Sequence, residues 1–257
     1  FFPEYSVALP KGGKPRIEIK NEAPDAIYFP SCTNSLFGPT NGGIGTSDAF
    51  IRIVDRANLK IGTPEDIGSL CCGTPWKSKG LTSGYQFMQT EVANSLKAAT
   101  RNGKIPIVCD ASSCTEGLAI LIAAAKQANL EVLDAAEFIS ERALPKLTLN
   151  KRISSVTIHK TCANVRSETD KALKTIASAI SETVIEPLNW SCCAFAGDRG
   201  LLHPELTASA TKNYAAEILN NPTAAYVSTN KTCEIGMSRA TSNNYRNILE
   251  LLEEVTR

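Results

Sequence analysis

Two stretches, "IPIVCDASSCTEGL" at residues 105–118 and "AAYVSTNKTCEIGM" at 224–237, decide how this chain is read. Each is a short apolar run, a polar turn, one cysteine and then a segment with helical spacing. A strand that turns straight into a helix is the unit of an α/β domain with a largely parallel sheet. Two further segments repeat in the same order. "AIYFPSC", ending at Cys32, pairs with "SVTIHKTC", ending at Cys162, and Cys71-Cys72 pairs with Cys192-Cys193. With Cys114 matched to Cys233, successive offsets are 130, 121, 121 and 119 residues. A near-constant offset across separate segments reads as an internal duplication.

The expected fold is therefore α/β, with two pseudo-repeated Rossmann-like halves whose sheets are largely parallel. Loops at the carboxyl ends of parallel strands converge on one edge, where ligands bind, so each half gathers four cysteines there. Residues 26–150 form the first cysteine-rich half and 151–257 the second. Residues 1–25, rich in Pro, Lys and Gly, read as a linker from an upstream region. Further strands are expected at "EVLD" and "TVIEP", and helices over "GYQFMQTEVANSLKAATRNG" and "HPELTASATKNYAAEILNNP", which carry Asn-Gly and Asn-Asn-Pro stops.

Composition excludes several functions. The chain has 27 Lys+Arg against 26 Asp+Glu, so it lacks the charge footprint of nucleic-acid or anionic-membrane binding. The longest apolar candidate, "LAILIAAAKQANL", is broken by Lys126 and Gln127, well short of the roughly 18 residues needed to span a bilayer. Nine cysteines, an odd number, fit metal or redox use in a reducing compartment better than a disulfide framework. The expected location is cytoplasmic, with peripheral attachment at the inner membrane as a variant.

Cys114 and Cys233 each precede a helix-like segment, where aligned peptide dipoles favour a thiolate by about 0.3–1 kcal/mol. Adjacent cysteines on a regular strand point to opposite faces, so each Cys-Cys pair needs a bent backbone to address one centre. Gly73 and Pro75 after the first pair, and Ala194 and Gly197 after the second, permit it. Zinc closes a four-thiolate site without redox chemistry. Its usual short Cys-x-x-Cys knuckle is missing, and an iron-sulfur cluster tolerates ligands drawn from three distant loops. Both metals stay open at this point, the spacing favouring the cluster. A thiol-disulfide role for the vicinal pairs ranks last, because the eight-membered ring it forms is strained.

"YFPSC", "LCCGTPWKSKG", "CDASSCTEGL", "CCAFAGDRGLLHPELTASAT" and "NKTCEIGMSRAT" together make the chain resemble a known family. It is the cysteine-rich CCG domain, found twice in the cysteine-rich polypeptide of heterodisulfide reductase and in the iron-sulfur subunits of glycolate and lactate oxidation systems. More specifically, the chain resembles the C-terminal region of FAD-linked D-lactate dehydrogenases of the FAD/FMN-containing type. That resemblance implies an electron-transfer module: a flavin oxidises a D-2-hydroxy acid, and iron-sulfur centres pass the electrons to a quinone or a protein acceptor. One or two clusters of 4Fe-4S type are implied, with zinc an option at one site. The implied ligands are Cys32, Cys71, Cys72 and Cys114 in one half and Cys162, Cys192, Cys193 and Cys233 in the other. FAD and a ferredoxin-like Cys-x-x-Cys-x-x-Cys-x-x-x-Cys-Pro run are expected in upstream domains of the same polypeptide, so that this stretch alone would not oxidise substrate. The alternative is a structural docking module with zinc-bound or empty sites.

The chain departs from the family at three points. Where heterodisulfide reductase has a fifth cysteine ligand in Cys-x-x-Cys, this sequence has Ala111 and Asn230, and its second CCG reads Cys-Cys-Ala, with Ala194. Cys109 lies near enough to compensate, though its counterpart is Ser228, and a buried apolar role is the first expectation. His159, three residues before Cys162, could ligate iron or protonate a substrate or quinone, but a strand-end histidine satisfied by backbone is the first expectation. His203 is expected as a helix-start residue. Asp198 and Arg199 are weighed evenly between tuning a cluster and a solvated ion pair. Trp76 and Trp190 adjoin the cysteine pairs as core or shield. "GPTNGGIGTSDAF" at 38–50 lacks a phosphate-binding pattern and reads as a loop over the first site.

Overall fold

The computed structural model describes residues 11–39, 42–127 and 129–257. The first half runs β1 (Ala26–Phe29), α1 (Cys32–Leu36), α2 (Thr46–Arg56), β2 (Ile61–Gly62), α3 (Thr74–Ser78), α4 (Thr82–Ala99), β3 (Ile107–Cys109), α5 (Ser112–Ala124), β4 (Val132–Asp134) and α6 (Ala135–Phe138). The second repeats the plan with β5 (Ile153–Ile158), α7 (Cys162–Ser167), α8 (Asp170–Ile180), β6 (Ser181–Ile185), α9 (Arg199–Leu202), α10 (Pro204–Asn220), β7 (Ala225–Ser228), α11 (Lys231–Thr241), β8 (Tyr245–Asn247) and α12 (Ile248–Val255). Both sheets have four strands, all pairs parallel, in the orders β2-β1-β3-β4 and β6-β5-β7-β8. The two orders correspond strand for strand, as a duplication requires.

Strand order explains where the cysteines go. The chain crosses from β1 to β2 on one side and to β3 on the other, so the crevice between the carboxyl ends of β1 and β3 is a topological switch point. Cys32 follows β1, Cys71-Cys72 follow β2 and Cys114 follows β3; Cys162, Cys192-Cys193 and Cys233 follow β5, β6 and β7.

Three apolar clusters hold the molecule. The largest joins the halves, packing Phe50 and Ile53 of α2 and Phe138 of α6 against Leu173 and Ile176 of α8 and Leu249 and Leu252 of α12. Arg56 seals its rim with a 2.6 Å bond to the buried Glu253. The two smaller clusters lie under α4–α5 and under α10–α11, each including cysteines of its own half.

Two edge strands, β2 and β8, were not expected: Ile-Gly and Tyr-Arg-Asn lack the apolar run that marks the other short strands. Of the stretch read as a linker, residues 1–10 lie outside the described residues. Its remainder docks on the first half: Thr63 N–H donates to Ile19 O at 3.0 Å, and Arg16 donates to Leu70 O at 2.8 Å and to Gly68 O at 3.2 Å.

The duplication also poses a test of buried charge. Asp134 ends β4 and caps α6, accepting from Ala136 N–H at 2.9 Å; Asn247 ends β8 and caps α12, accepting from Leu249 N–H at 3.1 Å. Burial pushes the Asp134 carboxyl up to about 7. A raised carboxyl pKa means that the native state holds the proton more tightly than the unfolded chain. Its stabilising share is therefore full below the ordinary carboxyl pKa and is lost as pH rises towards 7. Asp134→Asn, the residue the second half uses, keeps the cap without the charge. It is expected to raise the stability near pH 8 by about 1 kcal/mol or more, and the melting temperature with it, and to give no gain near pH 4. Melts at the two pH values check it.

Candidate metal centres

Each Cys-Cys pair sits on a sharp turn, as one centre would require. The residue after the pair has positive φ in both halves, +83° at Gly73 and +52° at Ala194. In the second half Ala194 N–H donates back to Cys192 Sγ at 3.4 Å, and the Gly73 amide does the same for Cys71. A Cβ on Gly73 would meet Tyr85 at 2.8 Å and Leu121 at 2.9 Å, so the first turn needs glycine for room as well as for φ. The second turn has room for alanine and bears its left-handed strain, roughly 1–2 kcal/mol.

A helix glycine lets the turn close in each half. A Cβ at Gly117 of α5 would meet Thr74 Oγ1 at 2.1 Å and Cys72 O at 3.0 Å, whereas at Gly236 of α11 the nearest contact is Phe195 at 3.3 Å. Gly117→Ala is expected to push the Cys72 turn off α5 and lower metal uptake by the first half at least tenfold, while Gly236→Ala changes the second half less than threefold, estimates on the scale of lost ligand positioning. Metal titration of the two variants compares them.

The thiols of the second half form a chain. Cys193 Sγ donates to Cys233 Sγ at 3.2 Å, Cys192 accepts from the Cys162 and Cys193 thiols, and Cys162 and Cys193, as the donors, are pushed well above the ordinary thiol range. Cys233 is drawn down to about 5 by the Cys193 thiol and, against its burial, by the His159 ring. Cys192 is exposed and is lowered by the Cys162 and Cys193 thiols. The first half has a chain of its own, but Cys71, Cys72 and Cys114 are all raised: Cys71 as donor to Cys72, Cys72, to about 12, as donor to Cys114, and Cys114 as donor to Cys109. Cys32 is raised by burial and by Cys71, with Arg16 opposing. Neighbouring thiols are thus linked in each half, and only Cys192 and Cys233, both in the second, are drawn below the ordinary thiol range. The donor sets are soft sulfur, which suits zinc or an iron-sulfur cluster, and Cys72, Cys114, Cys193 and Cys233 are buried as a solvent-shielded centre requires.

Several surrounding residues differ from expectation. His159 is not satisfied by backbone at its ring: it is buried, with Nδ1 3.1 Å from the Tyr214 hydroxyl and the ring against the Cys233 thiol. Cys109 is buried, as expected, and also reaches Cys114. Asp198 does not pair with Arg199; it meets Lys79 of the other half at 2.9 Å, both about half exposed. His203 precedes α10 at the surface with Nδ1 3.1 Å from Glu205 Oε1. Trp76 packs on the first-half cluster under α4–α5, and Trp190 packs on the second-half cluster while donating to Lys160 O at 2.8 Å. In the loop at 38–50, residues 40–41 lie outside the described residues, and Gly45 N–H donates to Glu250 of α12 at 3.2 Å, so the loop reaches the seam between the halves.

At that seam the two sites approach each other. Ser112 N–H donates to Thr229 O at 3.2 Å, Ser113 Oγ donates to Asn230 Oδ1 at 3.1 Å, and the Asn230 amide points at Cys233 Sγ, 3.9 Å away. Asn230, at the position of the family's fifth cysteine, thus bridges the halves through Ser113 and holds its amide towards Cys233. Arg166 is held by both Glu116 oxygens at 2.6 Å, and its charge acts on Cys162. Arg16 and Arg166 are site residues that the sequence did not single out; neither lies in a motif.

Comparison with known proteins gives a family match in the second half and one likeness over most of this chain. Residues 156–238 match the family model of the cysteine-rich domain CCG. That match runs from β5 to α11 and includes Cys162, Cys192, Cys193 and Cys233. The chain is also 20% identical over 256 residues to the "Glycolate oxidase iron-sulfur subunit" of Escherichia coli (strain K12), covering 94% of this chain and 60% of that protein. It therefore spans about 60% of the length of the curated relative it matches. No helix among the described residues is long and apolar enough to cross a membrane.

Proposed function

We propose that the chain is an iron-sulfur electron-transfer domain that works with a flavin-containing partner oxidising a D-2-hydroxy acid, D-lactate being the substrate favoured by the sequence resemblance. The observation that carries this reading is the pair of matched four-cysteine sets at the carboxyl edges of the two sheets. The likeness to an iron-sulfur subunit supports it. A bound cluster takes up and releases single electrons. The chain's part is to hold it with Cys32, Cys71, Cys72 and Cys114 on one side and Cys162, Cys192, Cys193 and Cys233 on the other. Arg16 and Arg166 place positive charge beside thiolates that would otherwise repel one another. Trp76 and Trp190 pack on the apolar clusters that include the cysteines of their own halves. The flavin, the ferredoxin-like centres and a quinone or protein acceptor belong to the upstream domains and partners of this reading.

Anaerobic purification tests it. Brown protein with iron and sulfide near four per occupied site, and an EPR signal that appears or disappears on reduction, is the expected result. Colourless anaerobic protein carrying zinc overturns it in favour of a docking module, in which mixed Cys/His donors would hold the zinc.

A further inference from the structure

We infer that His159 is a direct ligand of the second centre, a nitrogen donor added to its four cysteines; the inference rests on the reading above that this half holds a thiolate-bound metal. Among the described residues, His159, Cys193 and Cys233 are the one group of three metal-capable side chains whose donor atoms all lie within 4.8 Å of one another, and all three are buried. One nitrogen and two sulfur donors of the second half thus lie near enough to address a single centre.

The repeat shows that the histidine is an addition to the common plan. The residue at the position of His159 in the first half is Phe29, and the residue at the position of Cys109 in the second half is Ser228. In the first half the extra donor near Cys114 is therefore sulfur, from the end of β3, with phenylalanine at the end of β1. In the second half the donor near Cys233 is imidazole, from just beyond β5, and the residue at the end of β7 is a serine whose hydroxyl donates to His159 O at 2.9 Å. Sulfur and nitrogen have changed strands between the halves, while both remain beside the cysteine that opens the following helix.

The ring is also held as a metal ligand's ring is held. Tyr214, itself buried, bonds Nδ1 at 3.1 Å, and Tyr245 meets the ring edge-on with centroids 6.4 Å apart. Partners of this kind fix the rotation and tautomer of a ligating histidine. A neutral imidazole binds without giving up a proton, so it adds a donor without adding negative charge to a site that already has four thiols.

The test is pulsed EPR of the full chain, reconstituted anaerobically with iron and sulfide, read for hyperfine coupling to a directly bound nitrogen. Wild type is expected to show it. His159→Phe, which installs the first half's residue, is expected to lose it, and Cys109→Ala to keep it. A second measurement, anaerobic titration with Co2+ alone, is expected to give a mixed sulfur-nitrogen ligand-field spectrum from the second half, with affinity falling at least about tenfold in His159→Phe. Because the wild-type coupling is read without any variant, poor folding of His159→Phe does not protect the inference. Iron or cobalt bound by Cys162, Cys192, Cys193 and Cys233 with no histidine coupling overturns the histidine ligand and leaves the metal reading standing. No metal in the second half at all overturns both.

Discussion

A Cys193→Ser chain, prepared without oxygen, is expected to lose the metal of its second half and keep that of the first, so that iron per chain falls by about four atoms, a full 4Fe-4S complement. Cys193 is the hub of its site: it is buried, donates to Cys233 Sγ at 3.2 Å and lies in hydrogen-bonding reach of Cys192. Serine keeps the shape but not the donor, since its oxygen is hard and stays protonated where a thiolate would form. Cys72→Ser is the reciprocal experiment, and the two variants together assign the iron to halves. Under the proposed function, with a flavin partner present, both are expected to abolish onward electron transfer while leaving reduction of the flavin by substrate intact. Iron content unchanged in Cys193→Ser removes that residue from the ligand set; loss of flavin reduction as well points to a structural role.

Lys231→Met is expected to destabilise the metal-free chain by about 3–5 kcal/mol at neutral pH, the cost of breaking a buried ion pair from one side. Lys231 and Glu234 are each 2% exposed, in the first turn of α11, with Nζ and Oε2 2.6 Å apart. Burial pulls the Lys231 ammonium down, but Glu234 and Glu250 outweigh it and hold the lysine charged. Remove the lysine and two buried carboxyl groups lose their counter-charge. The deficit is expected to shrink as pH falls, because burial already raises the Glu234 carboxyl and its protonation then removes the stranded charge. Denaturant melts near pH 7.5 and near pH 5 read both parts. Lys231→Met combined with Glu234→Gln is expected to recover much of the loss; equal destabilisation in the single and double variants would show that packing of the lysine stem, not charge, is responsible.

The duplication was legible because cysteines are chemically fixed: a ligand position drifts little even when the strands around it change. The helix-start cysteines and the bent Cys-Cys turns followed from the same logic, and Gly73 and Ala194 do take the left-handed conformation that bends them. What stayed hidden was whatever acts across space. Arg16 lies in a stretch whose composition reads as a spacer, yet its guanidinium reaches the carbonyls of Gly68 and Leu70 just before Cys71. His159 was visible at its spacing from Cys162, but only Tyr214, 55 residues on, shows that its ring turns inward. Lys231 drew no reading from the sequence, and only the structure shows it buried in the first turn of α11. β2 and β8 were missed because Ile-Gly and Tyr-Arg-Asn offer no apolar run, unlike the similarly short β3 and β4.

The apolar cluster shared by α2, α6, α8 and α12 makes the two repeats one cooperative folding unit. Neither half can melt without uncovering the side of the other that carries Phe50 and Ile53 or Leu249 and Leu252, a contiguous apolar face of the kind that soluble monomers do not leave exposed. Opening of one repeat is therefore coupled to opening of the other, and hydrogen exchange in β1 and β5 is expected to proceed through a single global event. Two repeats with separate cysteine sets thus fold together: a change that unfolds either one is felt as the unfolding of both.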